Sequence, residues 1–193
     1  MNTFLSADYW SERYQNNQAG WDLGQISPPI KAYIDQLENK DLRILIPGCG
    51  SGYEGAYLWN KGFKNVHLLD FSSEPIAKFK SENTNFPEDQ LHCGDFFEHN
   101  FEYDLIIEQT LFCAIDPSLR SNYASQAASL LKKGGKLVGL LFDRTFESGP
   151  PFGGSEEEYK KYFELHFSQL QFEPCYNSIP PRQGSELFIK FLK

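Results

Sequence analysis

From residue 40 onward, short apolar runs alternate with amphipathic stretches, the pattern of strands and helices taken in turn. The runs at 42–46, 65–69, 90–93, 103–108 and 136–142 read as strands. Leu105, Ile106 and Ile107 are consecutive, so the strand at 103–108 needs cover on both faces. Helices fall between, at 53–61, 73–82 and 119–131. Tyr53, Ala56, Tyr57 and Leu58 mark the first before Gly62 stops it. Pro75 sits in the first turn of the second, where its missing N–H costs nothing. The third is expected to end on Lys132-Lys133-Gly134-Gly135, since lysine suits the negative end of a helix and glycine its left-handed cap. A glycine- and proline-rich loop at 147–154 then leads to a helix at 155–166. Two closing strands, 171–176 and 186–192, are joined by a turn at 179–184 and read as an antiparallel pair. Seven strands with covering helices make a doubly wound α/β sheet, in one domain without internal repeat or linker.

The first 26 residues follow no such alternation. They are polar and aromatic, with Trp10, Tyr14 and Trp21 at intervals of four and seven. Ser6 is placed to cap a short helix on which Trp10 and Tyr14 share a face. The segment 16–24 breaks that helix. Pro28-Pro29 permits another, with Ile30, Tyr33, Ile34 and Leu37 as its apolar stripe.

Candidate chemistry gathers where the strands end. Leu42 to Gly52, LRILIPGCGSG, is a buried strand entering a glycine turn, and Asp70 closes the next strand, 18 residues after Gly52. Side chains at Gly48, Gly50 or Gly52 would fill the space a ligand needs, and a carboxylate at Asp70 suits ribose hydroxyls. An adenosine-containing cofactor follows, but not which one: Gly50, Gly52 and Gly55 also satisfy GxGxxG, the dinucleotide fingerprint. Two features count against a nicotinamide: the turn opens early, with Pro47-Gly48-Cys49, and no second domain is evident for a hydride acceptor. Asp95 in GDFF suits an adenine amino group, with Phe96 against the base. Glu108 ends its strand beside the crevice where such sheets bind ligands.

Composition narrows the classes. A net charge of −8 with no basic block disfavours a nucleic-acid partner. Cys49, Cys93, Cys113 and Cys175 lie far apart with no CxxC, as expected for free thiols in a reducing compartment. The start, MNTFLSADYWSERYQ, has no basic-then-apolar order of a signal peptide, and no apolar run approaches the roughly 20 residues that span a bilayer. A cytoplasmic protein is expected. His67, His92, His99 and His166 show no ligand spacing, so no metal is expected. Glu156-Glu157-Glu158 reads as a solvated helix start.

The ordered set GCGSG, LLD, GDFF, DLIIEQTLFCAI and LKKGGKL resembles class I S-adenosylmethionine-dependent methyltransferases over nearly the whole chain. W-x3-Y-x6-WDLG-x3-PPI, LIPGCGSGYE, FCAIDPSLR, GPPFGG and IPPRQG narrow the likeness to the thiopurine methyltransferase superfamily, closest to its plant-type halide/thiol branch. The resemblance implies a mostly parallel sheet of order 3-2-1-4-5-7-6 with the last strand antiparallel, residues 1–38 covering the cofactor, and S-adenosylmethionine giving S-adenosylhomocysteine. It places Trp10 and Trp21 over the cofactor, with Tyr14 where that branch usually has a third tryptophan. Gly48, Gly50, Gly52, Asp70 and its neighbours Phe71 and Ser72, Asp95 and Phe96 complete the cofactor set. Glu108 stands where that branch tends to have aspartate.

A soft nucleophile such as a thiolate, bisulfide or halide needs no general base, and a dry aromatic pocket strengthens its attraction to a sulfonium. No catalytic dyad is expected. Phe4, Phe112, Phe142, Arg144, Phe152 and Arg182 are the candidate acceptor-pocket residues. Leu141-Phe142-Asp143-Arg144 stands where the plant-type branch tends to have a tyrosine, which sets halide turnover apart as an open question. A monomer acting on a small molecule is the expectation. The alternatives are a small-metabolite O- or N-methyltransferase and a non-catalytic S-adenosylmethionine-binding regulatory protein, with a nicotinamide enzyme more distant.

Overall fold

The computed structural model describes residues 5–16 and 18–193; Phe4 lies outside them. The elements run α1 (Ala7–Gln15), α2 (Pro28–Asp35), β1 (Ile44–Pro47), α3 (Tyr53–Asn60), β2 (Val66–Asp70), α4 (Ser73–Glu82) and β3 (Leu91–Cys93). They continue as β4 (Tyr103–Gln109), α5 (Arg120–Leu130), β5 (Leu131–Phe142), α6 (Glu156–Phe163), β6 (Gln169–Pro174) and β7 (Glu186–Leu192). The seven strands form one sheet in the order β3-β2-β1-β4-β5-β7-β6. β7 runs antiparallel to both its neighbours and the other pairings are parallel. This is the expected doubly wound architecture.

Alternation along the central strands divides the core between the two faces of the sheet. Leu105 and Ile107 of β4 join Ile44, Ile46, Leu58 and Phe79 on the side of α2, α3 and α4. Ile106 joins Tyr123, Tyr159, Phe163 and Phe191 on the side of α5 and α6. Because β4 is covered on both faces, its carboxyl end is rigid, which is where the expected site residues cluster.

Ser6 caps α1 as expected, its Oγ accepting the N–H of Tyr9 at 3.3 Å. The start of β5 differs from expectation. Leu131 is already extended (φ −87°, ψ 139°), and it pairs with Tyr103 while Lys136 pairs with Leu105. The glycines therefore do not cap α5. Lys132 to Gly135 bulge out of β5 opposite Asp104, turning at Gly134 (φ +80°), and the C-terminal residue pins the bulge through Gly134 N–H to Lys193 O and Lys193 N–H to Gly135 O. Lys132 Nζ reaches Asp104 at 2.8 Å, so the lysine serves an ion pair rather than a helix end. β6 begins two residues earlier than expected because Gln169 and Leu170 pair with Leu192 and Phe191. Among the described residues, no helix is long and apolar enough to cross a membrane.

Candidate active site

β1 ends in a turn whose glycines all sit in the left-handed region: Gly48 at φ +61°, Gly50 at +51° and Gly52 at +71°. All three have a second reason to lack a side chain, and a Cβ on Gly48 would lie 3.0 Å from that of Leu111. A Cβ on Gly52 would strike the buried ring of Phe79, and one on Gly50 would lie 3.2 Å from the Tyr14 hydroxyl. The turn is thus shaped as much by the elements packed on it as by what it can hold.

Asp70 fixes this turn to β2. Its Oδ2 accepts the N–H of Gly50 and its Oδ1 that of Ser72, both at 2.9 Å. Burial pushes its carboxyl above the ordinary range, and those two donors pull the other way. Ser72 is fully buried, whereas Phe71 is partly exposed.

The N-terminal segment is hydrogen-bonded across the same edge. Ser11 Oγ lies 2.8 Å from Ser72 Oγ and donates to Glu74 at 2.7 Å, and Gln15 donates to the other oxygen of Glu74. Ser72 also donates to Glu74, at 2.7 Å, and Ser72, Ser11 and Gln15 together hold the Glu74 carboxyl down at about 2. Trp10 and Tyr14 both meet Trp21 edge to face, with ring centroids at 5.3 and 5.6 Å. Trp21 is anchored from below as well: the next residue, Asp22, accepts Ser51 Oγ–H at 2.5 Å and the N–H of Gly24. Although burial opposes ionisation of Asp22, these donors hold its carboxyl below the usual range. Glu54 of α3, buried and shifted upward by that burial, accepts the N–H of Ser27. A three-ring roof is therefore fastened over the glycine turn by Asp22, Glu54 and Glu74, none of which the sequence reading singled out. Asp22 lies in WDLG and Glu54 in GCGSGYE, so the motifs held the signal.

Beside Trp21 lies a small crevice of about 50 Å³, open to solvent. Trp21, Gly48 and Gly50 of the expected cofactor set line it, with Ile46, Gln109 and Thr110 on the far wall. Thr110 adopts φ +71°, costly for a β-branched residue. Gln109 Oε1 is buried without a hydrogen-bond partner.

Other expected residues stand elsewhere. Asp95 Oδ1 caps the short turn after β3, accepting the N–H of Phe97 at 2.9 Å. The Phe96 ring faces inward and stacks on Tyr123 at 5.0 Å. Glu108 does not face the crevice. It is fully buried, with Oε1 accepting the N–H of Phe112 at 2.9 Å and Oε2 the hydroxyl of Tyr123. Burial lifts its carboxyl to about 7 despite those two bonds. Gly139 opposite makes the room, since a Cβ there would collide with Glu108. Phe112 is likewise in the core, with its ring against Tyr123, Tyr159 and Phe163. Its position after a buried strand gave no hint of which way the ring turns.

The acceptor-side residues divide into two groups. Arg182, in the turn before β7, donates to the Trp21 carbonyl at 3.3 Å, pairs with Glu186 at 3.5 Å and lies 5.6 Å from the centre of the Phe142 ring. Arg144 instead packs over Phe146 at 4.7 Å, and its carbonyl accepts the N–H of Gly154, closing the 147–154 loop. Phe152 donates its N–H to the Cys113 carbonyl at 2.7 Å. The residue holding this loop is Arg120, which the sequence reading left inside FCAIDPSLR without a role. It is 2% exposed and donates to the carbonyls of Phe152 and Gly153 and to Glu158 at 2.7 Å.

These features suit an adenosyl amino acid: a glycine turn at the end of β1 and a carboxylate at the end of the neighbouring strand. Comparison with known proteins agrees. The family profile described as Thiopurine S-methyltransferase (TPMT) matches residues 5–187. A probable thiol methyltransferase 2 of Arabidopsis thaliana is 30% identical over 188 residues, covering 94% of this chain and 83% of its own. A thiopurine S-methyltransferase of Photobacterium profundum is 26% identical, covering 83% of each chain. In fold, the chain is similar to a Burkholderia thailandensis 1,6-didemethyltoxoflavin-N1-methyltransferase solved with S-adenosylhomocysteine. The TM-score is 0.74 at 16% identity, over 97% of this chain and 86% of that one.

Proposed function

We infer the reaction of this chain from one premise: it belongs to the thiopurine S-methyltransferase family, matched over residues 5–187. It is an S-adenosylmethionine-dependent enzyme that transfers a methyl group to a small soft nucleophile. The observation that carries this reading is the glycine turn joined by Asp70 to β2 and roofed by Trp10, Tyr14 and Trp21.

S-adenosylmethionine, when bound, supplies an electrophilic methyl on a positively charged sulfur. Gly48 and Gly50, which line the crevice, hold its amino-acid end along their backbone, and Gly52 lets the turn pack against the Phe79 ring. Asp70 uses its remaining lone pairs for the ribose, beside Phe71 and Ser72. Asp95 takes the adenine end, with Phe96 supporting that turn from inside rather than by stacking on the base. With the cofactor filling the crevice, the aromatic roof would limit water at the sulfonium, which strengthens its attraction for an anion. Of the expected covering segment, 1–38, the described residues 5–16 and 18–38 belong to a single catalytic domain in this reading.

On the acceptor side we assign Phe142, Arg144, Phe152 and Arg182, with Arg182 drawing an anion to the mouth. Glu108 and Phe112 act behind this surface, as the support of the turn that carries it. The acceptor is a thiol, bisulfide, thiopurine or halide. Supporting a soft anion over an oxygen or nitrogen acceptor, none of the titratable groups behind this wall is presented to an acceptor as a free base. Burial pushes the Cys113 thiol up to about 12 and raises Tyr159, and Glu108, which titrates at about 7, is enclosed in the core with both oxygens accepting internal hydrogen bonds, away from the crevice. A pre-formed anion removes the need for a base.

Calorimetric titration with S-adenosylhomocysteine and with NAD tests the cofactor. Binding of the first and silence with the second is expected; tight NAD binding with no response to S-adenosylhomocysteine would overturn the reading.

A further inference from the structure

The Lys132–Gly135 bulge of β5 takes no part in the crevice. It lines a second pocket, of about 240 Å³, larger than the crevice beside Trp21. Tyr33 and Leu37 of α2, Leu42 ahead of β1 and Leu105 of β4 give this pocket an apolar lining. The first three are only half-buried, so apolar surface is left uncovered there. The two spaces lie at opposite ends of β4: Asp104 and Leu105 line the pocket, Gln109 and Thr110 the crevice. From Leu105 to Gln109 the strand rises about 13 Å.

The charge at this pocket runs against that of the chain, which is −8 overall. Lys132, Lys133 and Lys136 line it, with Asp104 as the one carboxylate. Asp104 is already engaged: Oδ1 takes Lys132 Nζ and Oδ2 the N–H of Arg43, both at 2.8 Å. Lys133 and Lys136 are exposed and form no ion pair among the described residues. The backbone that presents them is fixed. Lys193 bonds Gly134 and Gly135 at 3.1 and 3.0 Å, and a Cβ on Gly135 would lie 2.9 Å from the Lys132 carbonyl oxygen. Two uncompensated cations beside half-covered apolar side chains suit an anion with an apolar body. On the scale on which a cavity of about 150 Å³ holds benzene, there is room for roughly eight to ten carbons. We propose that this pocket is a second binding site, separate from the crevice, for an amphipathic carboxylate. Lys133 and Lys136 receive the carboxylate, and the apolar body lies against Tyr33, Leu37 and Leu42.

Titration of the 15N-labelled full chain with octanoate, followed by the backbone amide NMR signals, tests this. Saturable shifts are expected at Tyr33, Leu37, Gly134, Gly135 and Lys136, with none at Gly48 and Gly50. Octylammonium, which reverses the charge, and acetate, which lacks the body, should each bind at least about tenfold more weakly. Lys133→Gln/Lys136→Gln should weaken octanoate about fivefold, as fits the loss of two exposed charge contacts, with the other amide signals in place. Octanoate shifts that do not saturate or that centre on the crevice would overturn the proposal. So would equal binding of octylammonium or acetate, or an unchanged octanoate affinity in the variant. None of these outcomes depends on which cofactor the crevice takes.

Discussion

Replacing Glu108 by glutamine removes a carboxylate that is buried on every side and keeps its shape. In the folded chain the carboxyl titrates at about 7, against an ordinary value of 4.5. The folded state therefore binds this proton more tightly than the unfolded state. Between pH 4.5 and 7 its contribution makes stability fall as pH rises, because folding must either hold the proton or bury a charge. A shift of that size, at 1.36 kcal/mol per pH unit, corresponds to about 3 kcal/mol. The substituted amide would keep an oxygen for the Phe112 N–H and offer its NH2 to the Tyr123 oxygen, so it loses no hydrogen bond in number. Urea titrations of Glu108→Gln and the unaltered protein at pH 4.5 and pH 8 give the stability difference, in which all other titrations cancel. That difference should move in favour of the variant by about 3 kcal/mol toward pH 8. A difference that is the same at both pH values would refute the reasoning.

Other substitutions separate the roles of neighbouring groups. Gly52→Ala combines φ +71° with a clash against the Phe79 ring and should cost about 2–4 kcal/mol in urea unfolding. Gly50→Ala meets only the Tyr14 hydroxyl, so it should cost about 1–2 kcal/mol and loosen the roof, seen as a changed Trp10 and Trp21 fluorescence. Arg120→Met removes the donor to two loop carbonyls and should speed proteolytic cleavage within 147–154 at unchanged S-adenosylhomocysteine affinity. Burial first, then repulsion from His92, holds His67 and His99 near 4, and burial lowers His92. His67 Nδ1 also lies 2.9 Å from His92 Nε2. These rings stay neutral in the fold but protonate in the unfolded chain, so their stabilisation is complete above about pH 6.5 and is lost as pH falls toward 4. The thermal midpoint should drop over that window, and less so in a His67→Leu/His92→Leu variant.

The strands and the site's location were legible because β1, β2 and β4 are short apolar runs ending in a glycine or a carboxylate. Periodicity reports which faces are buried, and the glycines report where the backbone turns left-handed. Periodicity does not report where a side chain at the rim points. Glu108 and Phe112 turn inward because Gly139 and Tyr123 make room and supply a partner, and both lie far along the chain. The Lys132–Gly135 segment carries the local chemistry of a helix end, yet strand pairing to Tyr103 and the ion pair with Asp104 decide it. The fastening residues Asp22, Glu54 and Glu74 stayed hidden because each partner is distant in sequence: Ser51, Ser27 and Ser11. His67, His92 and His99, without ligand spacing along the chain, meet only because β2, β3 and the turn after it are adjacent.

Turnover with S-adenosylmethionine across one acceptor panel measures the chemistry most directly: iodide, bisulfide, thiocyanate, an aryl thiol, a thiopurine and a catechol. We expect kcat/KM for at least one of the sulfur or halide acceptors to exceed that for the catechol, with no rise in the rate on ionised acceptors across the pH range where Glu108 titrates. Turnover of the catechol alone would contradict the assignment of a soft nucleophile.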